Sequence, residues 1–458
     1  MIVYIMASTR IYRTAGTPTS SKKFTISFWC KKSGQTTDQF IFSSFTDANN
    51  RFQIQFNSDD QLDFICKVSG SNVVRLKTTR KFRDTSAWYH IGGVLDTTQS
   101  TNTDRIKLYI NGEQNLAADN GFASEVYPSQ DSTVNVTGTH TIGAYHNAGS
   151  PSLYFDGTLS HVNFIDGTAY QASTFGSTDA TTGIWKINTS PSVTYGTNGF
   201  FLKMEDSSNM DLDSSGNSHS FTTAGTLMSS KDNPSNNFPV LNRMLSATPS
   251  TTNGHTTITK TDSGYKPGLA TFGAHSGKYY AEFKLETASG YTNFGVVNAF
   301  KKKNLGTGTS LDYIGDGNDG VAYQPGASAL YYNGSSVSGY GTASQDDIIG
   351  IALDIDNGYV YWSKNGTFLN SGVPTSGSTG TGGYALSNLA DTQFGNYYIF
   401  GVSVAGTSGT RTISANFGQG FFGTTAVASA GSNASGHGVF EYDVPTGYTA
   451  MCTKGLNE

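Results

Sequence analysis

The chain has 458 residues, a net charge of −5 and only 14% charged residues. An ordinary domain has about 150 residues, so two or three domains are expected, and the acidic balance argues against a nucleic-acid-binding protein. The 54 glycines and the aromatic share of 12% instead favour an all-β fold, because aromatic residues suit strands and tight turns need glycine.

The N-terminal segment, MIVYIMASTR, has a short apolar run without basic residues before it or a small-residue cleavage site after it. A secretory signal peptide is therefore not expected. The chain also lacks an apolar stretch of about 18 residues, so no membrane-spanning helix is predicted. Release by cell lysis as part of a particle is a route out of the cell that needs neither feature.

Alternating apolar and polar residues predict half-buried β-strands through the first half of the chain. In FTISFWCKK the predicted inward residues are Phe24, Ile26, Phe28 and Cys30, and the predicted outward residues are Thr25, Ser27, Trp29 and Lys31. RFQIQF repeats the pattern, with Phe52, Ile54 and Phe56 inward and Gln53 and Gln55 outward. RIKLYING ends in Asn111-Gly112, a dipeptide typical of a tight hairpin turn.

The chain has three cysteines, Cys30, Cys66 and Cys452, and no C-x-x-C spacing. An odd number without that spacing predicts neither a disulfide framework nor a zinc cluster. Cys30 and Cys66 lie in strand-like segments, so both are predicted to be small core residues.

The second half shows the same alternation. The apolar residues Ile349, Ile351, Leu353 and Ile355 lead into Asn357-Gly358, and the segment YVYWSK leads into Asn365-Gly366. Two hairpins in series predict a meander. No stretch has sustained helical periodicity, so helices should be few and short.

Between about residues 205 and 255 the sequence is rich in Ser, Asn, Asp, Thr and Pro and loses the alternation. Such a change is typical of a domain boundary. The predicted organisation is a β-sandwich over residues 1–205, a connecting segment over 206–255, a second β-sandwich over 256–440 and a C-terminal segment over 441–458.

Several blocks of the first half occur in the order of a known family. They are FTISFWCKKS, RDTSAWYHIGGVLDTTQSTNTDRIKLYINGEQ, YFDGTLSHVNFIDGTAY, STFG, TTGIWK, YGTNGFFLKMEDSS and LDSSGNSHSFT. With these blocks, residues 10–240 resemble the laminin-G-like, concanavalin A-like modules of marine bacteriophage virion proteins, particularly those of cyanophages.

The second half resembles the SPRY domain that occurs in the same phage proteins. The matching blocks are GKYYAEFKLE, NFGVV, DDIIGIALDIDNGYVYWSKNGTFLNSG and YYIFGVSVAGTSGTRTISANFGQ, followed by the closing segment FEYDVPTGYTAMCTKGL. The resemblance implies an all-β chain of two concanavalin-type antiparallel β-sandwiches, or jelly rolls, in tandem. It also implies a virion surface or tail-fibre-like component that contacts host glycans or other virion proteins.

Concanavalin-type folds include glycosidases, which need two carboxyl groups about 5 to 9.5 Å apart. The laminarinase-type pattern E-x-D-x-x-E is absent; in EYDVPT, Glu441 and Asp443 are present but Thr446 occupies the last position. Asp354 and Asp356 share a strand face about 7 Å apart, a spacing that suits inverting hydrolysis. The favoured interpretation is a polar strand face leading into the Asn357-Gly358 turn, so no catalytic residue is assigned.

Two groups of carboxylates are candidate calcium ligands. Asp211, Asp213, Ser215 and Gly216 follow the opening of a calcium loop, but Thr222 occupies the position at which an EF-hand has Glu. A solvated turn is the favoured interpretation. Asp96 and Asp156 are candidates for a laminin-G-type calcium site, without a defined ligand set. No metal or cofactor is assigned, although calcium stays open.

Three further features have simple interpretations. The eight histidines form no H-x-H or H-E-x-x-H cluster, so zinc is not expected. GAHSGK, residues 273–278, resembles a phosphate-binding P-loop but is one residue too short, so phosphate binding is not expected there. Lys301, Lys302 and Lys303 form a basic run that a solvated loop explains, with contact to an acidic partner as the alternative.

Trp29 and Trp362 lie opposite the apolar residues of their strands. Exposed aromatic rings stack on sugars, but burial in a core or subunit interface is the favoured interpretation for both.

The block-by-block resemblance, together with the few charges, the many glycine turns and the absence of a predicted signal peptide, implies a non-enzymatic virion structural protein, in a tail fibre, an appendage or a capsid decoration. Host glycans and other virion proteins are the expected partners, in a homo-oligomer that neither binds nucleic acid nor inserts into membranes. The expected location is the virion, assembled in the host cytoplasm and released by lysis. Two alternatives stay open: a secreted bacterial carbohydrate-binding adhesin and a virion-borne polysaccharide depolymerase.

Overall fold

The computed structural model describes residues 2–5, 8–243, 250–287, 290–301, 313–393, 395–406 and 409–457. The chain divides into two compact units, unit 1 over Met1–Ser235 and unit 2 over Asn236–Glu458. Within the described ranges the regular structure is strand, interrupted by short 3-10 turns. No helix of these ranges is long and apolar enough to cross a membrane.

Unit 1 contains the first eighteen strands and three 3-10 turns, the latter at Asn102–Asp104, Ala117–Asp119 and Ala172–Thr174. The strands are Ile2–Ile5 (β1), Arg10–Ala15 (β2), Lys23–Lys32 (β3), Gln39–Asp47 (β4), Asn50–Phe56 (β5), Gln61–Val68 (β6), Ser71–Lys81 (β7), Tyr89–Asp96 (β8), Ile106–Ile110 (β9), Glu113–Asn115 (β10), Phe122–Val126 (β11), Gly138–Ile142 (β12), Gly157–Asp166 (β13), Gly176–Thr178 (β14), Trp185–Ile187 (β15), Phe200–Leu202 (β16), Thr222–Ala224 (β17) and Leu227–Ser230 (β18).

Two eight-stranded antiparallel sheets form the sandwich of unit 1. The first has the order β10-β9-β8-β3-β13-β1-β18, with β16 beside β13, and the second has the order β11-β7-β6-β5-β4-β12-β2-β17. Aromatic rings meet between the sheets: the ring centroids of Phe24 and Phe52 are 4.9 Å apart, and those of Phe42 and Phe164 are 5.7 Å apart. The predicted inward residues therefore form the core.

Strand β3 corrects one expectation. Its predicted outward residues are buried too: Ser27 is 1% exposed, Lys31 2% and Trp29 4%. The reason is a further layer outside the first sheet, where Trp29 packs with Trp88 and with Trp185 of β15. Gln53, predicted to point outward, is also buried, and its Oε1 accepts a hydrogen bond from Arg51 Nε (2.9 Å). Alternation identified the inward face but not the cover on the other face.

Unit 2 contains the other seventeen strands and five 3-10 turns, the latter at Pro325–Ala327, Leu369–Ser371, Pro374–Thr379, Leu386–Leu389 and Gly455–Asn457. The strands are Ser250–Thr252 (β19), Thr257–Lys260 (β20), Lys266–Leu269 (β21), Lys278–Leu285 (β22), Tyr291–Asn298 (β23), Gly320–Gln324 (β24), Ala329–Tyr332 (β25), Ser335–Ser338 (β26), Ile348–Asp354 (β27), Tyr359–Lys364 (β28), Thr367–Phe368 (β29), Tyr384–Ala385 (β30), Tyr398–Ala405 (β31), Arg411–Asn416 (β32), Phe421–Phe422 (β33), Thr425–Ala426 (β34) and Thr449–Ala450 (β35).

A nine-stranded and a six-stranded sheet form the sandwich of unit 2. The larger has the order β19-β20-β32-β22-β27-β28-β29, with β30 beside β28 and β35 parallel to β22. The smaller has the order β21-β31-β23-β24-β25-β26. Between them Phe283 and Phe294 pack with ring centroids 5.8 Å apart. The predicted all-β architecture of two antiparallel sandwiches in tandem is thus confirmed.

The division at Ser235 falls inside the region 206–255 that the sequence marks as a connection. In the structure β17 pairs with β2 and β18 pairs with β1, whereas β19 pairs with β20 in unit 2. Strands of three or four residues are too short for alternation to be visible in the sequence. The region between the two predicted sandwiches therefore completes sheets in both units.

Candidate ligand-binding site

The cysteines are core residues, as predicted for Cys30 and Cys66. Both lie in the core of unit 1, and Cys452 is buried in unit 2. Burial raises the pKa of the Cys30 thiol and raises that of Cys66 to about 12. Thiols in such surroundings stay protonated and unreactive.

The carboxylates of EYDVPT hold loops together. Glu441 accepts the backbone N–H of Ala428 (3.0 Å), and Asp443 accepts that of Ser432 (2.6 Å). A third carboxylate, Glu282 of β22, lies beneath them and accepts the backbone N–H of Glu441 (2.8 Å). Burial raises the pKa of Glu282 to about 7. No sequence pattern singles out Glu282, because it is one polar position within an otherwise ordinary strand.

The calcium-like loop is a turn organised by Asp213. This buried carboxylate accepts three backbone N–H groups, from Phe201 (2.9 Å), Ser215 (2.9 Å) and His219 (3.0 Å), while Asp211 accepts the Thr223 hydroxyl (2.7 Å). A carboxylate occupied by backbone donors suits a turn better than a metal ligand.

The other calcium candidates lie far apart. Asp96 pairs with Lys23 at the start of β3, and Asp156 precedes Gly157, which pairs with Lys32 at its end. A ten-residue strand separates those ends by about 30 Å, so the two carboxylates do not share a site. Among the residues that the structure describes, no group of three or more His, Cys, Asp or Glu side chains could hold a metal ion.

The two tryptophans are buried, which confirms the favoured interpretation. Trp362 is 2% exposed, and its Nε1 donates to the Phe294 carbonyl (2.8 Å). Trp29 packs against the His90 ring, with centroids 5.2 Å apart, and burial lowers the pKa of His90 to about 3. Of the basic run, Lys301 lies near the carbonyls of Asn388 (3.4 Å) and Ala390 (3.3 Å), and Lys302 and Lys303 lie outside the described residues.

Three segments that the sequence marked separately meet at one cavity of about 400 Å³ in unit 2. We call it the Lys278 pocket. The segment GAHSGK contributes Gly277 and Lys278, and the turn after β27 contributes Asp356. The closing segment contributes Tyr448, just before β35, and Thr449, the first residue of β35. The principal lining residues are Gly277, Lys278, Tyr279, Asp356, Tyr448 and Thr449.

The charged groups of the pocket are fixed by one another. Lys278 Nζ lies 3.0 Å from Asp354 Oδ2, and Asp354 is fully buried. Asn357 donates to the same carboxylate from its backbone N–H (2.9 Å) and its side-chain amide (2.8 Å). Asp356 stays exposed and accepts the Gly277 backbone N–H (2.7 Å). The backbone amide of Gly277 therefore faces a carboxylate, which argues against phosphate binding by GAHSGK.

Two buried residues of the closing segment support the pocket. The Tyr448 ring packs against Lys278, with Nζ 5.9 Å from the ring centroid, and its hydroxyl donates to the Pro374 carbonyl (3.0 Å). Thr449 is 8% exposed, and its buried Oγ1 has no hydrogen-bond partner in the part of the chain that the structure describes. A buried hydroxyl without a partner is unfavourable.

The pocket is chemically suited to a small, uncharged, hydroxylated ligand. Lys278 is outweighed by two carboxylates, Asp354 and Asp356, so an anion would be repelled. The exposed carboxylate of Asp356 can accept hydroxyl groups of a ligand, and a single sugar residue supplies hydroxyls without a charge. The sequence did not single out Tyr448 or Thr449, because they lie about 170 residues from Lys278 in the chain and only folding brings them there.

Comparison with known proteins identifies a module in unit 1. Residues 8–174 match the family described as the concanavalin A-like lectin/glucanases superfamily, Laminin_G_3. This match confirms the laminin-G-like, concanavalin A-like module predicted for the first half of the chain. No curated protein sequence matches the chain.

Solved structures similar to the chain include a native heptameric SAP-like pentraxin from Limulus polyphemus, with 16% identity, a TM-score of 0.32, and coverage of 50% of this chain and 94% of the pentraxin. The SPRY domain of human HERC1 has 18% identity and a TM-score of 0.24, covering 35% of this chain and 87% of that domain. A second human SPRY domain has 14% identity and a TM-score of 0.26, with coverage of 35% and 90%.

Proposed function

We propose that the protein is a non-enzymatic structural component of a bacteriophage particle, which attaches to neutral glycans of the host surface through the Lys278 pocket. Its place is a tail fibre, an appendage or a capsid decoration, assembled in the host cytoplasm and released by lysis. Other virion proteins are its remaining partners. The block-by-block resemblance of both halves to phage virion proteins supports this placement.

One observation carries the choice of binding over hydrolysis. A glycosidase uses two carboxyl groups, one as acid and the other as base or nucleophile. Of the aspartates at the pocket, Asp354 is fully buried and occupied by Lys278 and Asn357, so only Asp356 faces a ligand. A single available carboxylate supports recognition of a sugar hydroxyl without cleavage of the glycosidic bond.

A shallow pocket is sufficient for attachment if several copies act together. A homo-oligomer displays identical pockets in a fixed array, and each bound copy raises the effective concentration of the next. Weak binding of one sugar residue per chain is then compatible with firm adhesion of a particle.

Asp356→Asn tests the pocket with little change in shape. The amide oxygen can still accept the Gly277 N–H, so the thermal midpoint should change little. Affinity for glycans of susceptible cells should fall roughly tenfold, because the charged acceptor of a ligand hydroxyl is lost. Asp443→Asn, another exposed aspartate that accepts a backbone N–H, is the matched control and should bind like the unmodified protein. Equal binding by both variants would reject the pocket as the glycan site.

Localisation and activity test the rest of the proposal. Immunogold labelling of purified particles should mark tail-fibre tips, an appendage or an even capsid coat, and absence of label on particles would reject the virion assignment. Host envelope glycans incubated with the protein should release no reducing sugar. Release of reducing sugar would instead favour a depolymerase.

A further inference from the structure

Four tyrosines of unit 2 form a cluster outside the core between its two sheets. They are Tyr265, Tyr291, Tyr313 and Tyr331, and we call them the tyrosine face. The ring centroids of Tyr265 and Tyr313 are 4.8 Å apart, those of Tyr313 and Tyr331 5.6 Å, and those of Tyr265 and Tyr291 6.2 Å. Tyr291 is 51% exposed, and the other three are half-buried. Contiguous exposed aromatic rings are typical of recognition surfaces.

The cluster lies on the outer face of the six-stranded sheet. In β23 the side chains of Phe294 and Val296 enter the core, so Tyr291 and Asn293 point to the other side. Strand β31 lies between β21 and β23, and Tyr265 directly precedes β21. On the other side of β23, strand β24 separates it from β25, which carries Tyr331. Two of the rings, Tyr291 and Tyr331, are therefore held by strands of one sheet, and Tyr265 and Tyr313 lie outside strands and pack against them.

Amide side chains form the floor between the rings. Gln324 Nε2 lies 2.9 Å from the Tyr265 hydroxyl and 2.9 Å from Asn293 Oδ1. Asn293 Nδ2 in turn donates to the Ile314 carbonyl (3.2 Å), and the Ile314 N–H donates to Ser403 Oγ (2.9 Å). This network fixes the segment that carries Tyr313. The surface is therefore organised before any ligand arrives, which lowers the entropic cost of binding.

The four tyrosines carry no formal charge, and neither do Asn293, Gln324 and Ser403, which are buried. Burial also raises the pKa of Tyr265, so its hydroxyl stays neutral. An acidic or basic peptide would find no counter-charge among these groups. Sugar rings offer apolar C–H faces for stacking together with hydroxyls that pair with phenols, and several adjacent rings match successive residues of a chain.

We propose that the tyrosine face is a second saccharide site, an open platform for several consecutive residues of a neutral glycan chain. It is separate from the Lys278 pocket, which lies at the first residues of β22, whereas Tyr291 begins β23, just beyond the other end of β22. The length of β22 puts the two about 25 Å apart. The platform thus goes beyond the proposed function and stands if the pocket fails.

The test measures binding of three neutral hexasaccharides, cellohexaose, maltohexaose and mannohexaose, to the full chain by titration calorimetry. At least one should bind, and Tyr291→Ala should weaken it roughly five- to tenfold, whereas Tyr291→Phe should keep most of the affinity. Phe300→Ala is the matched control, because this phenylalanine is 54% exposed just beyond the other end of β23. Asp356→Asn, which alters the Lys278 pocket, should leave binding at the platform unchanged. Thermal midpoints check that each variant is folded.

Four results would overturn the platform. The first is no binding of any of the three hexasaccharides. The second is equal affinity of Tyr291→Ala and Phe300→Ala for the bound sugar. The third is loss in Tyr291→Ala of self-association or of binding to a proline-rich peptide, with saccharide binding intact, which would assign the rings to a protein partner. The fourth is loss of hexasaccharide binding in Asp356→Asn but not in Tyr291→Ala, which would assign the sugar to the Lys278 pocket.

Discussion

The ammonium group of Lys32 is buried inside unit 1 and pairs with a buried carboxylate. Its Nζ lies 2.6 Å from Asp60 Oδ1, and both side chains are 1% exposed. Burial alone would raise the pKa of Asp60, but hydrogen bonds from Lys32 and from the Thr36 backbone lower it below the usual value. The carboxylate is therefore charged in the folded state, and the pair is stabilising only while both members are present.

Lys32→Met should lower the free energy of unfolding by about 3 to 5 kcal/mol, because it leaves a buried charge without its main partner. Lys22→Met is the control: Lys22 pairs with Asp131, but their side chains are 41% and 57% exposed. Exposed pairs contribute about 1 kcal/mol or less. Urea denaturation of both variants makes the comparison, and equal losses would contradict the assigned role of Asp60.

Glu282 makes the stability of unit 2 depend on pH. Its pKa in the folded state, about 7, lies above that of an exposed glutamate, so folding favours the protonated form. The stabilisation is complete below the unfolded pKa, declines as pH rises, and is lost above about pH 7. The shift corresponds to about 3 kcal/mol between those limits.

Glu282→Gln should flatten this pH dependence. The unmodified protein should lose stability between pH 5 and pH 8, and the variant should lose less by about 3 kcal/mol. Chemical denaturation at the two pH values, monitored for unit 2, provides the measurement. Parallel pH profiles for the two proteins would show that Glu282 does not titrate in this range.

At the scale of elements, a hairpin packs against a turn of the neighbouring hairpin. Trp185 of β15 lies against Gly112, which has a φ of +79° in the turn between β9 and β10. A Cβ at Gly112 would come within 2.3 Å of the indole ring. Glycine is needed there for its backbone conformation and for the close approach of the tryptophan.

Gly112→Ala should therefore lower the free energy of unfolding by more than the backbone strain alone would. Gly216 has a similar φ of +92° with open space at its Cβ position, so Gly216→Ala measures only the cost of the left-handed conformation, about 1 to 2 kcal/mol. The Gly112 variant should exceed it by at least about 1 kcal/mol, since Trp185 must move. Thermal unfolding compares the two variants, and tryptophan fluorescence reports displacement of the indole. Equal losses of stability in the two variants would mean that Trp185 and its hairpin move away from the new methyl group without a free-energy cost.

Elements show what the sequence can predict. Period-two alternation identified the core positions of β3 and β5, and Asn111-Gly112 marked a true hairpin turn, because these signals are local. Alternation did not reveal that Ser27 and Lys31 are covered, since the covering residues come from distant segments. The same limit applies to the site: Asp356 and GAHSGK were visible singly, but their meeting with Tyr448 depends on long-range pairing of β35 with β22.

At the scale of the whole molecule, the end of unit 1 is set by contacts of residues 206–235. β18 pairs with β1 and β17 pairs with β2, each at the end of one sheet. Beyond β18, Asp232 accepts a hydrogen bond from Trp88 Nε1 (2.9 Å) and lies 2.7 Å from Lys31 Nζ, with the Lys31 side chain 3% exposed. These residues close both sheets and neutralise a buried lysine.

Two truncations distinguish the boundary at 235 from the one at 205. A fragment of residues 1–235 should fold cooperatively, because it has its own core and all of its strands. A fragment of residues 1–205 would lose β17, β18 and Asp232, which uncovers sheet edges and removes the charge partner of Lys31. It should be less stable by at least about 3 kcal/mol or aggregate. Circular dichroism shows whether each fragment is folded, and urea denaturation compares their free energies of unfolding. Equal stability of the two fragments would mean that residues 206–235 only connect the two units.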